Sequence, residues 1–174
     1  FSISQEELDK RFTYSNLEVF DKIKAENRNV IMMAGHMFNW EWFVGTAKHL
    51  PAKNTVAVYH KIGNPFWNDK INKMRGKYGT EAIDMKDVLR TMMKTPNDGN
   101  SAYLFVADQS PKKSAVHYFI DFLNQRTPAF NGFDKIAQRK NMGIVYSKTE
   151  KIKRGYYHTT FIEIEPKGEK FEEN

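Results

Sequence analysis

The segment Gly35-His36-Met37-Phe38-Asn39-Trp40-Glu41-Trp42 follows the apolar run Val30 to Ala34. It sets an imidazole and a carboxylate where a strand hands over to a helix. A histidine there can serve as a general base, and an acid on its second ring nitrogen fixes the tautomer and stabilises the charged form. His36 and Glu41 are the residues that the pattern nominates for those two parts.

Spacing is weak evidence by itself. Five histidines and 21 acidic residues in 174 positions make such a pair close to a chance event, and a second, His158 and Glu163, is present. That pair lies in Tyr156-Tyr157-His158-Thr159-Thr160-Phe161-Ile162-Glu163-Ile164, which reads as a strand. An odd offset in a strand sends the two side chains to opposite faces. In a straight helix an offset of five is also poor, about 140° around the axis. His36 must therefore sit in the turn ahead of the helix, with Glu41 in its first turns. Asn39 fits the N-cap there, and Gly35 fits a turn that needs an unusual backbone angle.

The chain has no cysteine, no Gly-x-Ser-x-Gly elbow, no phosphate loop ending Gly-Lys-Ser/Thr and no His-Glu-x-x-His zinc pair. A base–acid pair without a protein nucleophile suits direct activation of a substrate hydroxyl, which then attacks a carbonyl. The missing cysteine also excludes disulfides, thiolate metal sites and a covalent thioester on the protein.

Several elements must hold these groups in place. Residues 5–26 have the spacing of one or two amphipathic helices, with Leu8, Phe12, Leu17, Phe20 and Ile23 on the apolar side. Residues 29–34 read as a buried strand, 39–50 as a helix that stops before Pro51, and 55–59 as a second strand. Gly63-Asn64-Pro65 is a turn leading into a helix over 66–78. Residues 83–93 read as another helix, ended by Thr95-Pro96-Asn97-Asp98-Gly99. The strand 101–107 ends at Asp108-Gln109, a helix covers 130–141, and strands follow at 143–147 and 156–165. The polar tail 167–174 reads as frayed. Strands alternating with helices predict an α/β fold with a mixed, mainly parallel central sheet flanked by helices, its last part antiparallel. Ligands in such sheets gather beyond the carboxyl ends of the strands, and His36 and Asp108 both fall there.

Length and composition bound the rest. At 174 residues the chain is read as one domain, and 40% hydrophobic content with 14% aromatics excludes a mainly disordered chain. The net charge of +6 suits an acidic partner. Residues 135–154 concentrate it, with Lys135, Arg139, Lys140, Lys148, Lys151, Lys153 and Arg154 against Glu150 alone. No run of 18 apolar residues is present. The chain begins at Phe1, which reads as a trimmed segment of a longer protein.

Gly35-His36-Met37-Phe38-Asn39-Trp40-Glu41 resembles the first block of the late acyltransferases of lipid A biosynthesis, within the lysophospholipid acyltransferase superfamily. The resemblance continues through Tyr59-His60-Lys61, Asn64-Pro65-Phe66-Trp67, Arg75 and Gly79, then Ile83-Asp84. Val106-Ala107-Asp108-Gln109-Ser110-Pro111 is similar to the family's Asp-Gln block, and residues 119–128, with Asp121-Phe122-Leu123 and Thr127-Pro128, to the stretch after it. The blocks occur in the family's order over about residues 15–165, which is more specific than the first motif alone.

The resemblance implies a glycerol-phosphate-acyltransferase-like fold and transfer of a fatty acyl group from a thioester to a hydroxyl of lipid A or a related bacterial lipid. The donor would be acyl carrier protein or coenzyme A, with no cofactor or metal, in a ternary complex. Carried over by position, His36 is the base, Glu41 its partner, Arg75 a group for phosphate or donor, and Asp108 and Asn39 residues that support or face the substrate. It also implies an N-terminal membrane helix and a C-terminal extension outside this chain, and work at the cytoplasmic face of the inner membrane. The basic surfaces at 70–77 and 135–154 would face anionic lipid, acceptor phosphates or the acidic carrier protein. Two other readings are a catalytically silent lipid-binding relative and a basic nucleic-acid-binding module. The second is opposed by aromatics that fall at expected buried positions rather than among the basic residues. His49, His60 and His117 show no partner pattern.

Overall fold

The computed structural model describes residues 3–111, 116, 118–130 and 132–165. A helix, Gln5–Arg11 (α1), is capped by Ser4, whose side chain accepts from the Glu7 N–H. The strand Phe12–Ser15 (β1) and the helix Glu18–Ala25 (α2) follow. The strand Val30–Ala34 (β2) is buried at four of its five positions. Trp40–His49 is a 3₁₀ helix, and Asn54–Tyr59 is the next strand (β3). The helix Pro65–Gly76 (α3) starts at Asn64, whose side chain accepts from the Phe66 and Trp67 N–H groups, with proline in the first turn. Then come Thr80–Asp84 (β4), Met85–Lys94 (α4) and Ser101–Val106 (β5). Two short strands, Phe119–Phe122 (β6) and Gln125–Pro128 (β7), form a separate hairpin. The helix Gly132–Lys140 (α5) and the strands Gly143–Lys153 (β8) and Tyr156–Glu163 (β9) complete the described chain.

The seven-stranded sheet has the order β1-β9-β8-β2-β5-β3-β4. β2 lies between β5 and β8 and is parallel to both, and β3 and β4 continue the parallel array. β9 returns antiparallel to β8, so the mixed part lies toward the β1 edge, as the sequence pattern leads one to expect. Alternation along β2 divides the core. Val30, Met32 and Ala34 join Phe12, Phe20, Ile23, Phe43, Leu104 and Phe161 on the side of α1, α2 and the 3₁₀ helix. Ile31 joins Val56, Val88, Met92, Tyr103 and Ile136 on the side of α4 and α5. Each Val, Leu, Ile, Phe or Met side chain among them contributes about 1.5–3 kcal/mol by leaving water.

Three local expectations are corrected. The segment expected to be one or two helices contains β1, whose pairing partner β9 lies about 145 residues away, a contact no local window shows. Ile83 and Asp84 end β4 rather than begin the next helix, and the Asp84 carboxylate accepts from the Lys86 N–H at 3.1 Å as the helix cap. Residues 40–49 wind as 3₁₀ rather than α-helix. The chain there packs tightly on α1, since a Cβ built on Gly45 would run into the Leu8 side chain. The tail 167–174 and His117 lie outside the described residues. Among the described residues no helix is long and apolar enough to cross a membrane.

Candidate active site

β2 and β5 end side by side, with Ala34 opposite Val106, and the Ala107 N–H donates to the Ala34 carbonyl at 3.1 Å. That extra bond brings Asp108 against the loop leaving β2. The His36 backbone N–H donates to Asp108 Oδ2 at 2.8 Å, and His36 Nδ1 lies 2.6 Å from Asp108 Oδ1. A carboxylate at that distance keeps the proton on Nδ1 and leaves Nε2 as the ring's acceptor. Burial pushes the Asp108 carboxyl up, but the hydrogen bonds from the His36 side chain and backbone outweigh it and hold it below the usual carboxylate value.

A Cβ on Gly35 would stand 3.4 Å from Asp108 Oδ2, an ordinary van der Waals contact, so the pair does not depend on glycine's small size there. The expected unusual angle is not at Gly35. It falls on Phe38, with φ 53°. Asn39 occupies the N-cap position, but its side chain makes no capping hydrogen bond.

Glu41 has a different partner from the one the spacing suggests. Arg75 on α3 holds it bidentately, Nε at 3.0 Å from Oε2 and Nη2 at 2.6 Å from Oε1. The guanidinium is 5.7 Å from the Trp40 ring and 5.9 Å from the Tyr59 ring. Trp40 also meets the His36 ring edge-to-face at 4.8 Å, so one indole touches both the His36–Asp108 pair and the Glu41–Arg75 pair. Sequence spacing could not separate these partners, because Asp108 is 72 residues from His36 and Arg75 is 34 from Glu41.

Two cavities open at this edge, on opposite sides of the sheet. The larger, about 760 Å³, is lined by Asp108 with Met33, Phe133, Ile144 and Tyr146, on the α5 side. The smaller, about 530 Å³, is lined by His36, Trp40, Glu41, Tyr59 and Arg75, on the side of the 3₁₀ helix and α3. His36 and Glu41 thus face one cavity from different hydrogen-bond partners, and Phe130 lines both cavities.

The remaining histidines are accounted for differently. His158 bonds Thr13 Oγ1 at 2.8 Å and Ser15 Oγ at 3.0 Å, while Glu163 accepts from Lys22, so this pair stays apart as strand geometry requires. His49 lies 2.9 Å from Asp9, a partner 40 residues away that no local spacing encodes. His60 lines the smaller cavity. Among the described residues no three His, Asp or Glu side chains come together in the manner of a metal site.

The His36–Asp108 pair stands just past the ends of two central strands of a mainly parallel α/β sheet, the edge at which ligands of open α/β sheets usually gather. The chain belongs to the bacterial lipid A biosynthesis acyltransferase family, whose sequence model matches residues 1–166. It is similar to lipid A biosynthesis acyltransferase 2 of Shigella flexneri, 26% identical over 137 residues, which are 76% of this chain and 42% of the relative. It is also similar to the lipid A biosynthesis myristoyltransferase of Escherichia coli (strain K12), 22% identical over 165 residues, 92% of this chain and 48% of the relative. The chain spans about half the length, or less, of these curated relatives.

Proposed function

We propose that this chain carries the catalytic centre of an acyltransferase that moves a fatty acyl group from a thioester to a hydroxyl of lipid A or a related bacterial lipid. The observation that carries this reading is the 2.6 Å contact between His36 Nδ1 and Asp108, set at the sheet edge beside two largely apolar cavities. Family membership supports the same class of reaction.

His36 Nε2 takes the proton from the acceptor hydroxyl as its oxygen attacks the thioester carbonyl carbon. The carbonyl electrons move to oxygen and return as the C–S bond breaks. The leaving thiolate receives the proton from His36, giving an ester and a free thiol. Asp108 holds the ring and stabilises its charged form throughout. Glu41 and Arg75 are proposed as positioning residues that brace Trp40 and the cavity wall beside His36. Arg75 also keeps N–H donors beyond the two used on Glu41 for a phosphate or the donor. The absence of cysteine fits direct transfer in a ternary complex. Acyl carrier protein or coenzyme A is the proposed thioester, and the cytoplasmic face of the inner membrane the proposed place of work.

The test compares the full-length parent with its His36→Ala variant, using labelled acyl carrier protein and coenzyme A donors and lipid from a Gram-negative bacterium as acceptor. A labelled lipid made by the parent and lost in the variant supports the reading. Equal transfer by a folded His36→Ala variant would falsify it. No transfer from any donor by the folded parent favours a silent lipid-binding relative. Phe12, Phe20, Tyr103 and Phe161 are buried in the core, but Phe66 and Trp67 are exposed beside Lys70 and Phe119 beside Arg126. The expectation that the aromatics stay away from the basic residues therefore holds only in part, and family membership is what opposes the nucleic-acid reading.

A further inference from the structure

Two hairpins of opposite character adjoin the sheet edge that carries His36 and Asp108: β6–β7, whose flanking Tyr118 and Phe130 line the cavities there, and β8–β9. The β6–β7 hairpin forms its own two-stranded sheet. Such a ribbon is marginal in water unless its apolar side chains are covered. Here Phe119 and Ile120 are exposed, and Phe122 and Leu123 at the tip are 58% and 78% exposed. The turn residues Leu123 and Asn124 have φ 51° and 60°, both in the left-handed region, as a type I′ turn demands. Glycine or asparagine suits both positions. Leucine at the first is strained, and it places the most exposed of these apolar side chains at the tip.

The second hairpin is basic. β8 is parallel to β2 as far as Tyr146 opposite Met33, and residues 147–153 then run on against β9. At the rise of an extended strand this overhang is about 20 Å. Because β8 and β2 share a direction, it leaves the sheet on the same edge as His36. Its outer part holds Lys148, Lys151, Lys153 and Arg154 against Glu150, with Ile152 at 66% exposed. The loop after β2 exposes Met37 and Phe38, the latter partly stacked on Tyr157 of β9. Past β3, Phe66 and Trp67 are exposed beneath the Lys70 ammonium, 5.8 Å and 5.2 Å from the ring centres.

We infer that this edge docks on an anionic bilayer, with the β6–β7 tip inserted among acyl chains and the β8–β9 tip on the headgroups. Aliphatic side chains at a protruding tip, rings with cations beside them and a basic arm are the groups such an interface accommodates. The inference rests on the proposed lipid acceptor and gives His36 access to it at the membrane surface.

The chain has no cysteine, so single cysteines can carry a polarity-sensitive fluorophore without background. Leu123→Cys and, at the opposite sheet edge, Lys53→Cys are labelled and mixed with phosphatidylethanolamine–phosphatidylglycerol vesicles. The expected result is a blue shift and quenching by brominated acyl chains at position 123 and neither at 53. The unlabelled double variant Phe122→Ser with Leu123→Asn keeps a favourable turn and is expected to partition about tenfold more weakly. Binding is expected to weaken with salt and on phosphatidylcholine alone. Equal partitioning of variant and wild type, or a bound protein with no shift at 123, overturns the wedge. No binding to the anionic vesicles overturns the docking face. Transfer to a detergent-dispersed acceptor separates this inference from the chemistry. The wedge variant is expected to keep it there and lose it on vesicles, whereas His36→Ala loses it in both. Loss in detergent by the wedge variant would also overturn the inference.

Discussion

Asp108 holds His36 twice, through the ring Nδ1 at 2.6 Å and through the backbone N–H at 2.8 Å. The two bonds fix the ring's tautomer and the loop that carries it. Asp108→Asn keeps an acceptor for the backbone N–H but removes the charge that stabilises a protonated imidazole. On the proposed mechanism kcat falls by about 10²–10⁴, with a small change in KM. Steady-state kinetics of the folded variant check this.

The same carboxylate gives an acid-side stability signature. Its native pKa lies below the unfolded value, so its stabilising contribution is complete above about pH 4 and is lost as pH falls through the lowered native value. Thermal unfolding of wild type and Asp108→Asn is therefore expected to differ most near neutrality, with the gap narrowing below about pH 4.

Glu41 and Arg75 are joined by a bidentate pair whose side chains are 25% and 12% exposed. A double-mutant cycle with Glu41→Gln and Arg75→Lys is expected to give a coupling of about 1–2 kcal/mol in unfolding free energy. A coupling near zero would show that the pair does not brace this wall.

Asn29 ties three strands together at the opposite edge. Its side chain donates to the Pro96 carbonyl and accepts from the Ser101 N–H, its own N–H donates to Asn97 Oδ1, and its carbonyl accepts from the Gly143 N–H. Asn29→Leu leaves the Ser101 N–H and the Pro96 carbonyl without that partner. A loss of about 2–4 kcal/mol is expected in urea unfolding, with the m-value unchanged.

Tyr14 is packed among Phe12, Phe161 and His49. Burial pushes its phenol far up, the Thr46 hydroxyl hydrogen bond acts in the opposite sense, and the charge of Asp9 adds to the rise. With the native pKa raised, stability is unaffected below about pH 10 and falls above it, as the unfolded chain ionises first. Tyr14→Phe is expected to flatten the decline of Tm between about pH 9 and 11.

The sequence by itself determined the strands and helices whose apolar spacing is local. β2, β3 and β5 appear as compact apolar runs, and α3 announces itself by Asn64 and Pro65. It also determined that His36 and Asp108 leave the carboxyl ends of strands, because each follows an apolar run directly. Tertiary structure alone decided which acid meets which base. Strand order places β5 beside β2 and so gives His36 to Asp108, while the packing of α3 against the 3₁₀ helix gives Glu41 to Arg75. It likewise decided that Phe12–Ser15 is a strand, since its ladder is completed only by β9. Local periodicity records which face of a segment is apolar. Hydrogen-bond partners 34 to 145 residues apart are set by how those faces stack, and no spacing along the chain encodes that.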